Sequence, residues 1–387
     1  MKIAVACDSF KGTFSSLEIA NHIENVAKIY FEEIKVEKIA VADGGEGTID
    51  ALLHTLDGSA CFQEVFSPLG EKITAKYGYI DSNKTALIEM AQASGLFTIP
   101  EDAKNPLKTS SYGTGQLISN ALEKGVKKII LGLGGSATND GGMGVLAALG
   151  ARFYDAKGKE IKCYAGESLS KVSEISLEEV NSKALECEFE IMCDVDNILT
   201  GPNGATYVFG PQKGATVNQL RLLEEGMVKY SRVLERCVNK EVGSIKGSGA
   251  AGGVAAAMLG VFNGKISSGI DIALDLMDFD KKIADCQFVI TGEGKMDKQT
   301  LAGKVPYGIS KRCKALNIPV IGFVGGLEMN KSGPSHPEEL YTVFSVVSDF
   351  TEFSTIQKNP EKYLIDAIHR MFKFIKLGYD LKSSRRK

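Results

Sequence analysis

LGLGGSATNDGGMG, residues 131–144, decides how this chain folds. The apolar run Ile129-Ile130-Leu131 has the length and composition of a buried strand end, and Val145-Leu146-Ala147-Ala148-Leu149 reads as a helix. A strand therefore passes through an almost side-chain-free loop into a helix. Six glycines let bare backbone N–H groups approach a ligand, and a helix N-terminus behind them favours an anion such as phosphate. Ser136, Thr138, Asn139 and Asp140 add a hydroxyl pair, an amide and a carboxylate to the same loop. The simpler alternative is a tight turn ahead of a buried helix, which needs neither so many glycines nor a carboxylate.

The same strand-loop-helix unit recurs at both chain ends. Residues 2–7 form a short apolar strand, DSFKGTFSS is a loop, and residues 17–29 carry a helical stripe with Ser15 and Glu18 at capping-box spacing. Residues 36–42 read as a strand, ADGGEGT as its loop, and Ile49, Leu52, Leu53 and Leu56 as the core face of a helix. Strands are expected at 288–291, 319–324 and 341–347, with helices near 307–315 and through Leu364, Ile368, Met371 and Ile375. Both ends thus share one parallel sheet. Between them, alternating residues in 61–80 indicate hairpin-like strands, followed by strands at 85–90 and 188–193 and helices at 113–124, 217–238 and 250–259. The expected organisation is one α/β domain from 1–60 and 282–387 and an inserted α/β domain from 61–281.

A chain of 387 residues has room for two sizeable cores. Its eight cysteines are scattered with no CxxC pair, which disfavours a zinc site and a disulfide framework and points to the cytoplasm. Cys7 and Cys193 read as small buried hydrophobes, and the four histidines have no evident partners. Net charge is −3 without a basic stripe, so nucleic acid is not an expected partner. The apolar start is too short for a signal peptide, and the 249–264 tract is too rich in glycine to span a bilayer.

Parallel α/β sheets bind ligands outside the carboxyl ends of their strands. Asp8-Ser9-Phe10-Lys11-Gly12, Asp43-Gly44-Gly45-Glu46-Gly47-Thr48, Thr291 to Asp297 and Gly322 to Gly326 all follow predicted strands there, as do the SATND loop and Cys193-Asp194-Val195-Asp196-Asn197. Glycine loops, lysines and carboxylates together are the parts of phosphoryl transfer: donors and cations around a triphosphate, carboxylates for Mg²⁺, and one to orient the attacking hydroxyl. A helix end gives an anion about 0.3–1 kcal/mol, far below the roughly 8 kcal/mol or more that catalysis requires. Lys11, Lys295, Asp43, Asp194 and Asp297 are accordingly the informative residues. Asp8 and Asp43 also suit helix caps, and Asp194 and Asp196 suit a turn. GSGAAG, residues 247–252, matches GxGxxG but follows no clear strand. There is no GxxxxGK[ST] P-loop and no protein-kinase motif set.

ACDSFKGTFSS, VADGGEGT, SSYGTGQLI, LGLGGSATNDGGMG, CDVDNILTGPNGA, FGPQKGA, GSGAAGG and TGEGKMDKQTLAGKVP, in this order, resemble the bacterial glycerate kinases of the first type over nearly the whole chain. The resemblance implies two dissimilar α/β domains, one Rossmann-like with a sheet built from both chain ends, and an active site in the cleft between them. It implies ATP- and Mg²⁺-dependent phosphorylation of D-glycerate, at the 2- or the 3-hydroxyl. Combined with the chemistry above, it places the substrate on Asp8, Ser9, Lys11 and Glu46, with Asp43 orienting the hydroxyl. ATP goes to Gly134, Gly135, Ser136, Thr138, Asn139 and Asp140, with Gly292 and Lys295, and Mg²⁺ to Asp194 or Asp297. Competing readings are another small-molecule kinase, since GLGGSA is similar to the galactokinase-like GLGSSA, an NAD-dependent oxidoreductase of a small hydroxy acid, and a non-catalytic hydroxy-acid sensor. Self-association is left open.

Overall fold

The computed structural model describes residues 1–10, 13–41, 52–53, 56, 58–296, 300, 304–330, 333–334, 336–347, 356 and 358–384. The chain packs as two compact units, Met1–Asp43 with Ile270–Lys387, and Gly44–Gly269.

In the first unit a five-stranded sheet runs in the order Thr342–Ser345, Val320–Val324, Val289–Gly292, Lys2–Cys7, Lys35–Lys38. Every pairing is parallel. Counted along the chain this is 2-1-3-4-5, so connections leave Lys2–Cys7 in one direction and Val289–Gly292 in the other. The strand carboxyl ends between those two mark the switch point where α/β sheets open a crevice. Ile3, Val5 and Cys7 enter a cluster with Ile19, Ile23 and Val26 of the helix Ser16–Tyr30 and with Leu364, Ile368 and Met371 of the helix Pro360–Ser384. Ala4 and Ala6 point the other way and are also fully buried, as a parallel sheet covered on both faces requires. Ser15 caps the first helix in a reciprocal box with Glu18.

The second unit has a six-stranded sheet in the order Lys265–Ser267, Glu188–Met192, Lys128–Gly132, Thr85–Glu89, Lys72–Ile80, Ser59–Phe66. The first four strands are parallel and the last two form the expected antiparallel hairpin. The amphipathic helix Val217–Val238 opens on a Thr216/Gln219 capping box and stops at left-handed Asn239. It lays Met227, Tyr230 and Leu234 on the core.

The unit borders differ from those read near residues 61 and 281. Ile270 packs so tightly over Gly308 that an added Cβ would lie 2.6 Å from Ile270 Cγ1, which draws Gly269–Leu276 to the first unit. The helix expected over 250–259 begins only at Val254, because Ala251, Gly252 and Gly253 take left-handed backbone angles. The helix expected through Ile49 and Leu56 falls largely outside the described residues. No described helix is long and apolar enough to cross a membrane.

Candidate active site

At the switch point of the first unit lies a cavity of about 580 Å³, in the range of small-molecule sites. Four strand ends build it: Asp8, Ser9 and Phe10 after Lys2–Cys7, Glu293 to Lys295 after Val289–Gly292, Gly325 to Leu327 after Val320–Val324, and Val346 and Val347 after Thr342–Ser345. The ladder continues into these loops, with Asp8 N donating to Gly292 O at 2.8 Å and Gly325 N to Glu293 O at 3.1 Å. Asp8 does not cap the following helix, whose N-cap is Ser15; its Oδ1 accepts from Ser9 N at 2.7 Å beside the cavity. Glu293, only 5 % exposed, accepts from Thr300 Oγ1 at 2.5 Å and lies 3.7 Å from Lys304 Nζ. Two carboxylates and the ammonium groups of Lys295 and Lys304 therefore line one hollow. Lys295 is exposed and 3.2 Å from Glu328. Glu293 was read only as part of the Thr291–Asp297 cluster and Lys304 was given no role, because TGEGKMD points first to Lys295 and Asp297 and burial separates them only after folding.

Lys11, Asp43, Glu46 and Asp297 lie outside the described residues. In the first unit the structure brings together Asp8, Ser9, Gly292 and Lys295.

In the second unit the glycine loop leaves the carboxyl end of Lys128–Gly132, but its side chains turn inward. Thr138, Asn139 and Asp140 are completely buried. One Asp140 oxygen accepts from Ser111 N and Ser111 Oγ, both at 2.8 Å, and from Gly144 N at 3.2 Å; the other accepts from Gly142 N at 3.1 Å. The helix that follows, Met143–Ala148, is a turn and a half long, and its leading N–H groups go to Asp140 and to Ser111 Oγ. The helix end read as an anion site is thus filled by the protein's own carboxylate. Burial raises the Asp140 carboxyl pKa, and its four donors oppose that rise. Asn139 Nδ2 donates to Thr206 Oγ1 at 3.2 Å, and Gly141 N to Gly252 O at 2.9 Å. GSGAAGG is therefore backbone packing: a Cβ on Gly252 would meet Thr138 O at 2.2 Å.

What remains outward is Gly134 and Gly135, both exposed, with Gly135 at φ +70°. Beneath them sits Lys213, which sequence reading passed over although FGPQKGA contains it. It is 2 % exposed and donates from Nζ to Thr138 O at 2.7 Å and to Ser136 Oγ at 3.1 Å. Burial pushes its pKa down to about 7, with Asp140, the charged group set against it, pulling partly the other way. An unfolded lysine holds its proton up to about pH 10.4, so the unfolded chain binds more protons than the folded one above neutrality. Stability from this site therefore rises with pH. Urea midpoints at about pH 7 and about pH 9 are expected to show that gain in the wild type and not in Lys213→Met, the other groups cancelling in the comparison. Equal slopes would contradict it.

Asp194, at the end of Glu188–Met192, is exposed, and its Oδ1 accepts from Gly269 N at 3.0 Å. Among the described residues no three His, Cys, Asp or Glu side chains are grouped to hold a metal. A nucleotide-bound Mg²⁺ needs only one or two carboxylates, since phosphates and water supply the rest, and Asp194 offers that kind of hard oxygen donor. Cys7 is buried at its strand end and its thiol pKa is pushed up, as expected of a small hydrophobe.

The whole arrangement has relatives. The model of the "Glycerate kinase family" matches residues 3–376. The chain is 43 % identical over 347 residues to a glycerate kinase of Bacillus subtilis (strain 168), covering 90 % of each. It is 41 % identical over 348 residues to a glycerate 2-kinase of Escherichia coli (strain K12), covering 90 % of this chain and 91 % of that one. A crystal structure described as a glycerate kinase 2 from Salmonella typhimurium LT2 superposes with a TM-score of 0.87 at 39 % identity, covering 98 % and 99 % of the two chains. Sequence and fold agree, and the chain belongs to the glycerate kinase family.

Proposed function

We propose that this protein transfers the terminal phosphoryl group of ATP to D-glycerate, with Mg²⁺ held by Asp194 or Asp297 beside the phosphates. The observation that carries the reading is the family match over residues 3–376, joined to a cavity at the switch point of the first unit that Asp8, Glu293, Lys295 and Lys304 line. Glycerate needs a cation for its carboxylate and an acceptor to orient its hydroxyl. Lys11 with Ser9 takes the carboxylate, Asp8 completes that wall, and Asp43 with Glu46 accepts the hydroxyl proton's hydrogen bond. Gly134 and Gly135 receive nucleotide phosphate through backbone donors. Asp140, Asn139 and Thr138 hold that loop in shape. Bound Mg²⁺ would neutralise charge building on the phosphoryl oxygens. The Escherichia coli relative is named a glycerate 2-kinase, and the 2-hydroxyl is the acceptor in this reading.

Incubation with Mg-ATP and D-glycerate, followed by proton-coupled ³¹P NMR, is the test. Transfer to the 2-hydroxyl gives phosphorus coupled to one carbinol proton, transfer to the 3-hydroxyl a coupling to two, and absence of a glycerate ester rejects the activity. Lys11→Ala is expected to raise the KM for glycerate by roughly tenfold or more, the loss of one charge-assisted hydrogen bond, and to leave the KM for ATP within about twofold. Equal losses for both substrates would reject the assignment of Lys11.

A further inference from the structure

The turn at Gly134–Gly135, which Leu133 and Ser136 close, carries two consecutive backbone N–H groups that donate to no acceptor among the described residues. Leu96 N donates to Gly135 O and Ala137 N donates to Ser94 O, both at 2.9 Å, which pins the turn against the segment after Thr85–Glu89. With Gly135 left-handed, the free N–H groups form the sort of concavity in which main-chain donors converge on an anion. A second, independent observation lies behind them. The ammonium of Lys213, buried, bonds Ser136 Oγ and Thr138 O and has its third N–H without an acceptor among the described residues. No carboxylate among the described residues lies within ion-pair distance of it. Thr138 Oγ1 beside it is also buried without a hydrogen-bond partner. Buried charges and hydroxyls are ordinarily satisfied. A buried cation, an unused hydroxyl and two unused N–H groups together lack one thing, an anion.

We propose that Lys213 is the buried cation of a phosphate site on the Gly134–Ser136 turn, positioning that turn through Ser136 Oγ and Thr138 O and supplying the charge that a nucleotide phosphate neutralises. This rests on the kinase reading above and adds to it the residue that makes the loop selective for phosphate. Asp140 cannot play that part, since both its oxygens are occupied by backbone and serine donors. Glycerate, whose carboxylate is assigned to the first unit, should not sense Lys213.

Two measurements on the full chain test this. Amide hydrogen exchange of residues 133–137 in the wild type reads the loop: the N–H groups of Gly134 and Gly135 should exchange fast when free and slow on adding ATP or inorganic tripolyphosphate, and not on adding D-glycerate. Steady-state kinetics of Lys213→Met and Lys213→Arg then read the side chain. Lys213→Met is expected to raise the KM for ATP roughly tenfold to a hundredfold with the KM for glycerate within about twofold, and Lys213→Arg to recover part of the loss. If ATP binds without protecting 133–137, the loop is not the phosphate site and the proposal falls with that part of the reading. If protection appears but Lys213→Met uses ATP as well as the wild type, or loses glycerate equally, only the role of Lys213 falls. Should Lys213→Met fail to fold, Ser136→Ala, which removes one anchor of the ammonium, is expected to shift the KM for ATP in the same direction; no shift overturns the proposal.

Discussion

Asp140→Ala is expected to lower folding stability by about 3–5 kcal/mol, the range seen when one partner of a buried charged network is removed. The physical reason is the number of donors it serves. Three backbone N–H groups, of Ser111, Gly142 and Gly144, and the Ser111 hydroxyl converge on one carboxylate, all within 3.2 Å and out of reach of solvent. An unsatisfied buried donor costs roughly 1–3 kcal/mol, so losing all four partners at once outweighs any gain from removing a buried charge. The same network ties the start of the helix Tyr112–Glu123 to the helix Met143–Ala148, because Ser111 Oγ also accepts from Val145 N at 3.1 Å. Those helices lie so close that a Cβ on Gly115 would sit 2.6 Å from Ala148 Cβ. About 4 kcal/mol is a quarter to most of a total of roughly 5–15 kcal/mol. Urea denaturation checks it; a midpoint shift worth less than about 1 kcal/mol would show that water replaces the carboxylate.

The second large effect is expected at Gly292. An added Cβ there would lie 1.6 Å from Phe323 O, and a Cβ on Gly325 would lie 2.3 Å from Gly294 O. Glycines on adjacent strands thus alternate in letting the two backbones close up as they leave the sheet. In Gly292→Ala a backbone carbonyl cannot move aside as a flexible side chain would, so Val289–Gly292 and Val320–Val324 must spread. Overpacking typically costs about 1–3 kcal/mol, and contact with backbone puts this case at or above the upper end. The damage also falls on the switch point: Gly292 O accepts from Asp8 N, and the loops at 293–295 and 325–327 wall the cavity. Reduced soluble yield together with a raised KM for glycerate is the expected result. A variant with wild-type thermal stability and kinetics would show that the strands part at no cost.

The elements were largely legible from the chain. The capping pair at Ser15/Glu18 marks a helix start without reference to tertiary contacts, and it is present. The alternating residues of 61–80 became an antiparallel hairpin because period-2 burial belongs to a strand in any context. GSGAAGG matches GxGxxG yet packs against Thr138, because glycine spacing looks the same whether it admits a ligand or another loop. Lys213 escaped notice because a lysine in a Gly-Pro-rich segment is indistinguishable from a solvated one until burial is known.

Local periodicity, caps and glycine-rich strand ends determined by themselves that this is an α/β chain with polar loops following parallel strands, since those signals depend on neighbours within a few residues. Which of those polar groups face a ligand was decided by tertiary packing alone. Asp140 turned inward to satisfy backbone donors and Asn139 to bond Thr206 Oγ1, while Glu293 was buried against Thr300 and Lys213 under a loop from a distant segment. Burial and hydrogen-bond satisfaction are properties of the folded interior, and no spacing along the chain encodes them.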